Sequence, residues 1–188
     1  MNKFIFTSES VSEGHPDKIC DQISDAVVDY YLANCKKPEL ARVACETMVT
    51  TNKVFIAGEV RGDGELSEVN KMHIEKIARN VVKSIGYEQK TFHWNNLDVD
   101  INLHAQSPDI SMGVDAVEKN EEGAGDQGIM FGYATDETKE LMPLPIQLSH
   151  ELLRTIRDKR LKSEITGLGP DAKSQFSIIY ENERPVGV

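Results

Sequence analysis

Ser8-Glu9-Ser10-Val11-Ser12-Glu13-Gly14-His15-Pro16-Asp17-Lys18 carries the chain from an extended polar run into the start of a helix. Gly14 permits a bend that a Cβ would resist. His15 stands where an N-cap belongs, and Pro16 suits the first helical position because its missing N–H would be unpaired there. Asp17 then lies in the first turn, near the positive end of the helix dipole. Downstream, Ile19, Ile23, Ala26, Val27 and Tyr30 mark one helix face, while Asp17, Asp21, Asp25 and Asp29 recur on roughly the opposite one. A histidine, an aspartate, a lysine and a helix N-terminus within four residues suit a phosphate and its metal ion. An ordinary acidic amphipathic helix with a His-Pro start has the same letters, and spacing alone does not choose between the two.

The totals narrow the classes. At 188 residues the chain can bury a sizeable core. A net charge of −10 argues against broad, sequence-independent nucleic-acid binding, which needs Lys and Arg against phosphates, but leaves room for a nucleotide at a local positive site. Cys20, Cys35 and Cys45 are odd in number and form no CxxC, which points to a reduced compartment. The N-terminal apolar run is too short for a signal peptide, and no run approaches a membrane span. A cytoplasmic protein is therefore expected.

Working outward, Phe4 and Phe6 suggest a short opening strand, and the first helix should end near Asn34, before Lys36-Lys37-Pro38. Ala41 to Thr50 alternates, with Val43, Cys45, Thr47 and Val49 on one face; Val54 to Val60 follows a turn at Thr51–Lys53, so the two predict a hairpin. Glu46 and Glu59 interrupt these apolar strands and are either solvent-facing or partnered. Ser67 is a candidate cap for a helix running to Ile85 and stopped by Gly86. Leu97, Val99, Ile101 and Leu103 alternate with polar residues, predicting a strand with one wet face. Ser111 to Asn120 is polar and acidic. Gly123-Ala124-Gly125-Asp126-Gln127-Gly128 matches GxGxxG by letter, but no strand precedes it and no suitably placed acidic residue follows. It reads as a loop leading into a short strand, Ile129 to Tyr133. Pro143 opens a third helix with Leu148, Leu152, Leu153 and Ile156 as its expected buried stripe; Arg154, Arg157, Lys159 and Arg160 are explained by the helix dipole and solvation. Phe176 to Tyr180 predicts a strand, and Glu181–Arg184 its hairpin turn. The element order predicts an α+β fold with antiparallel or mixed sheets and helices on one face.

Four stretches together resemble S-adenosylmethionine synthetases: Phe6 to Lys18; Ala41 to Glu46; Gln106 to Ile110 with Gly123 to Gly128; and Gly169 to Ser174. The similarity spans essentially the whole chain. It implies the family's repeated α+β domains, with residues 1–117 as the N-terminal domain, including a mobile lid over about 106–117, and 118–188 as the start of a truncated central domain. It implies ATP and L-methionine as substrates. The methionine sulfur attacks C5′ of ATP, and the released triphosphate is hydrolysed to diphosphate and phosphate.

By motif position, the resemblance assigns His15 and Lys173 to catalysis, and His15, Asp171, Ala172 and Lys173 to ATP. Asp17 would ligate Mg2+ and Glu46 would serve a K+ site. Glu59, Gln106 and Asp126 would hold methionine. It also implies a homodimer or homotetramer with sites between subunits, and neither nucleic-acid nor membrane partners. Because the family's later motifs are missing, the 188-residue chain alone is expected to be inactive. A non-catalytic truncated or regulatory homologue that pairs with a full-length subunit is the alternative. A different Mg–nucleotide enzyme is a third reading, which lacks the GxxxxGK[ST] phosphate cradle.

Overall fold

A computed structural model describes residues 3–63, 66, 68–106 and 127–188. Ser67, the expected lid from Ser107 onward, the Ser111–Asn120 stretch and Asp126 with its glycine-rich loop up to that residue lie outside the described residues. In chain order the elements are β1 (Lys3–Val11), α1 (Pro16–Asn34), β2 (Arg42–Thr50), β3 (Lys53–Arg61), α2 (Lys71–Ile85), β4 (Glu88–Gln89), β5 (Phe92–His93), β6 (Asp98–Ala105), α3 (Leu144–Leu161), β7 (Lys173–Glu181) and β8 (Arg184–Gly187). The fold is α+β. No helix among the described residues is long and apolar enough to cross a membrane.

Two compact units emerge, and they are not successive along the sequence: Met1–Lys18 with Phe131–Val188, and Ile19–Met130. In the first, β1 and β8 flank β7 in an antiparallel sheet. The opening strand is longer than Phe4 and Phe6 suggested, because all nine of its residues pair with β7, from Lys3↔Glu181 to Val11↔Lys173. Asn182 and Glu183 form the predicted hairpin turn, both at positive φ (52° and 64°), as a two-residue turn matched to strand twist requires. Helix α3 lies on β1 and β7.

Of its predicted stripe Leu153 is buried and Leu148 and Ile156 are half-buried, but Leu152 is exposed, and Pro145 and Ser149 are the other buried positions. The reason is the polar seam it covers. Ser149 Oγ lies 3.0 Å from the Ser8 carbonyl, and Ser174 Oγ donates to the Ser149 carbonyl at 2.8 Å. A small hydroxyl fits this seam where a leucine would leave buried polar groups unpaired.

The second unit has the sheet order β2-β3-β6, with β2 antiparallel and β6 parallel to β3. The β2–β3 hairpin is the predicted one. Helix α2 supplies the crossover that a parallel strand needs. Val54 and Ile56 from the sheet join Ile19, Ile23, Val27 and Tyr31 of α1 and Ile74, Ala78 and Val82 of α2 in one buried core. Asn70, not Ser67, caps α2: its side chain accepts the His73 N–H at 3.1 Å. Gly86 ends the helix at φ 95°, in the left-handed region predicted for it.

One expected element is absent. Ile129–Tyr133 is irregular, and Ile129, Met130 and Phe131 are 80%, 93% and 90% exposed. A strand needs a neighbour for its backbone groups, and no described strand pairs with this segment.

Candidate functional site

The first unit brings together the two stretches that carry the expected phosphate ligands. Residues 8–18 and 171–173 are far apart in sequence, but antiparallel pairing runs through Val11↔Lys173 and continues one step further, where the Ser12 N–H donates to the Ala172 carbonyl at 2.9 Å. The turn bearing His15 and Asp17 therefore leaves the sheet beside the Asp171 loop and the start of β7 at Lys173. Both Asp171 and Lys173 are exposed.

Gly14 is required for space here, not for the bend expected of it. An added Cβ would fall 2.5 Å from the Pro170 carbonyl carbon and oxygen, so the two segments touch backbone to backbone.

His15 acts as the cap that its position suggested. Its Nδ1 accepts the Asp17 backbone N–H at 3.2 Å, while the Asp17 carboxylate stands further off at 3.7 Å. With Nδ1 accepting, the neutral ring carries its proton on Nε2, which makes that edge a donor. The His15 side chain is largely buried, and the Asp17 carboxylate is 87% exposed. An open carboxylate at a helix start fits Mg2+, which keeps waters and substrate phosphates in its shell and takes one or two protein carboxylates. It is not a closed cage: among the described residues no group of three or more His, Cys, Asp or Glu is placed to hold a metal.

Side chains that sequence reasoning did not single out support this corner. Ser12 is buried, and its Oγ donates to the Pro170 carbonyl at 2.7 Å and accepts the Ala172 N–H at 2.8 Å. Arg160 pairs with Glu13 at 2.7 Å, with both side chains mostly buried. This corrects the reading of Arg160 as part of a solvated basic run. Ser10 Oγ and His150 Nδ1 are 2.7 Å apart. Burial lowers the His150 pKa from its ordinary value, and the nearby positive charges of Arg154 and Lys18 lower it further. The signal available in the sequence was only the run of serines; their partners lie 140 to 160 positions away.

The second unit holds the other expected ligands. On β2, β3 and β6 the rows Ala44–Glu59–His104 and Glu46–Ala57–Asn102 share one sheet face. Glu59 is half-buried and faces His104, with Oε1 to Nε2 at 3.5 Å, so it is a partnered residue. Glu46 is exposed, and its row adds only an alanine and an amide. Among the described residues this row offers one carboxylate and one amide to the expected K+ site. Gln106 follows β6, anchored by its N–H to the Val60 carbonyl at 3.0 Å. Its Oε1 is buried with no hydrogen-bond partner among the described residues. A buried amide oxygen left unpaired costs free energy, and a ligand donor such as an ammonium would remove that cost.

Comparison with known proteins identifies the family. Residues 3–108 match the family model for the N-terminal domain of S-adenosylmethionine synthetase, and residues 121–188 match that for its central domain. The chain is 58% identical over 187 residues to the S-adenosylmethionine synthase of Parvibaculum lavamentivorans, covering 100% of the chain and 46% of that protein. It is 58% identical over 189 residues to that of Methylobacterium radiotolerans, covering 100% and 47%. With S-adenosylmethionine synthase 2 of Rhodopseudomonas palustris it is 55% identical over 192 residues, covering 98% and 48%. The chain thus spans about half the length of the curated relatives it matches. On these matches, the chain belongs to the S-adenosylmethionine synthetase family.

Proposed function

We propose that this chain carries the triphosphate-binding and methionine-binding residues of a methionine adenosyltransferase, which makes S-adenosylmethionine from ATP, L-methionine and water in the cytoplasm. In that reaction the methionine sulfur forms a bond to C5′ of ATP, the C5′–O bond breaks, and triphosphate leaves. Water then cleaves the triphosphate to diphosphate and phosphate. A thioether is already nucleophilic, so the protein's task is to stabilise charge gathering on the leaving group.

His15 would donate from Nε2 to the triphosphate, and Lys173 would place an ammonium beside it. Asp171 and Ala172 would line the nucleotide. Asp17 would hold Mg2+, which supplies charge neutralisation of the phosphates. Glu46 would give one carboxylate to K+, and Glu59, Gln106 and Asp126 would hold methionine. A homodimer or homotetramer is proposed for the whole enzyme.

The observation that supports this reading is the backbone pairing from Val11↔Lys173 to Ser12–Ala172, which puts the two distant stretches proposed to bind the triphosphate side by side. The test is calorimetric titration of the 188-residue chain with Mg2+–tripolyphosphate. Binding is expected, weakened about tenfold by Lys173→Ala, the scale of a lost charged hydrogen bond. No binding by the folded wild type would overturn the reading. Formation of S-adenosylmethionine by this chain alone is expected to be negligible. A turnover rate matching that of a full-length relative would instead show that the 188 residues suffice.

A further inference from the structure

We infer that the Ser12 hydroxyl is a positioning group that locks the Pro170–Ala172 loop, at the head of β7, against the His15 turn, so that the proposed triphosphate ligands of both segments act as one site; this rests on the triphosphate reading above. Ser12 lies between the two segments and is bonded to both. Its Oγ brackets Asp171, donating to the carbonyl of the preceding Pro170 at 2.7 Å and accepting the N–H of the following Ala172 at 2.8 Å. Its backbone N–H donates to the Ala172 carbonyl at 2.9 Å, and its own carbonyl accepts the His15 N–H at 3.1 Å. One buried residue therefore fixes the peptide on either side of Asp171 and the peptide entering His15.

Two neighbours close the same joint. Gly14 leaves no space for a Cβ against Pro170, which sets the distance between the segments. The Glu13–Arg160 pair, with side chains 19% and 12% exposed, fastens the turn to the last turns of α3.

The hydroxyl is what backbone pairing cannot replace. A β-ladder fixes register along the strands; it ends at Val11↔Lys173, with one further backbone bond from Ser12 to Ala172. Beyond that point, Pro170 has no N–H with which to continue it. The side-chain oxygen takes over as both donor and acceptor. Alanine at position 12 would keep the fold's apolar burial but free the loop. Lys173 stays held by the ladder, but an Asp171 carboxylate and an Ala172 peptide that wander by an ångström lose much of their pre-organisation toward a nucleotide and its metal ion.

The test compares S12A, S12T and a control, S149A, in the full 188-residue chain. S149A also removes a buried hydroxyl, but one that bonds the Ser8 and Pro145 carbonyls and neither Pro170 nor Ala172. Two readouts are used well below each variant's melting temperature: calorimetric affinity for Mg2+–tripolyphosphate, and amide hydrogen exchange at Ala172 and His15. In S12A, affinity should fall and exchange should quicken, each by about tenfold, the scale of one lost hydrogen bond. S149A should lower the melting temperature yet leave both readouts within about twofold, because its hydroxyl bonds neither side of the joint. S12T, which keeps the donor and acceptor, should restore both.

Unchanged exchange at Ala172 and His15 in S12A overturns the inference. So does an S149A variant that loses as much affinity as S12A. If the wild type binds no tripolyphosphate, the functional reading fails, and exchange alone decides the positioning role. Should S12A not fold, S12T carries the test: wild-type-like exchange supports the role, and quickened exchange in a folded chain overturns it.

Discussion

His150 shows how a single residue can set the pH range over which the first unit is stable. Its Nδ1 meets Ser10 Oγ at 2.7 Å beneath α3, and burial, with Arg154 and Lys18 nearby, depresses its pKa below the ordinary 6.5. A depressed histidine binds fewer protons when folded than when unfolded. Its contribution to stability is therefore complete above 6.5 and is lost as pH falls toward the folded pKa. Denaturant unfolding of wild type and H150Q at several pH values should show a difference that is constant above neutrality and shrinks in acid. A difference independent of pH would mean that His150 titrates normally. At this scale the sequence was partly legible. The cap at His15, the glycine stop at Gly86 and the turn at Asn182–Glu183 depend on local chemistry and could be read from adjacent letters. The roles of Ser12, Gly14 and Arg160 could not, because each depends on a partner more than 140 residues away.

At the scale of elements, periodicity served well where one face is apolar and failed where the covered face is polar. The β2–β3 hairpin and β6 follow their alternation because one side of that sheet meets the core of α1 and α2. Helix α3 keeps Leu153 of its leucine pattern buried but leaves Leu152 out and buries Ser149, because it covers serines on β1 and β7. Ile129–Tyr133 has strand-like letters, yet strand formation is decided by a neighbouring edge, which local composition does not report. The start of α2 was misjudged by a few residues because Asn70 and Ser67 are both good caps and only geometry separates them. Asn70→Ala should cost about 1 kcal/mol in the unit formed by residues 19–130, since it leaves the His73 N–H without its acceptor. Equilibrium denaturation with a probe in that unit would register the loss, and a change near zero would show that water replaces the cap.

On the scale of the whole molecule, two opposing surface properties govern association. The chain carries a net charge of −10, which keeps copies apart at low salt. It also presents Ile129, Met130 and Phe131 as consecutive, almost fully exposed apolar residues. Exposed apolar patches promote association, and screening shortens the reach of repulsion to about 8 Å at physiological ionic strength. Sedimentation velocity should therefore reveal concentration-dependent association that strengthens with salt and weakens in M130K/F131K. Association that salt diminishes would point to charge pairing instead.

The pairing of β1 with β7 also has a consequence for synthesis on the ribosome. On emerging, β1 must wait for a partner strand 162 to 178 positions later. At ordinary translation speeds that is a delay on the order of 10–30 s. For that interval Phe4, Ile5 and Phe6 belong to a nascent segment with no sheet to join, and the residues proposed to grip phosphate have no pocket to form. The second unit, whose residues lie entirely between the two halves of the first, can collapse on its own core in the meantime. Slowing translation just before residue 173, or depleting holdase chaperones, should thus lower the yield of soluble chain more than the same disturbance placed after residue 181.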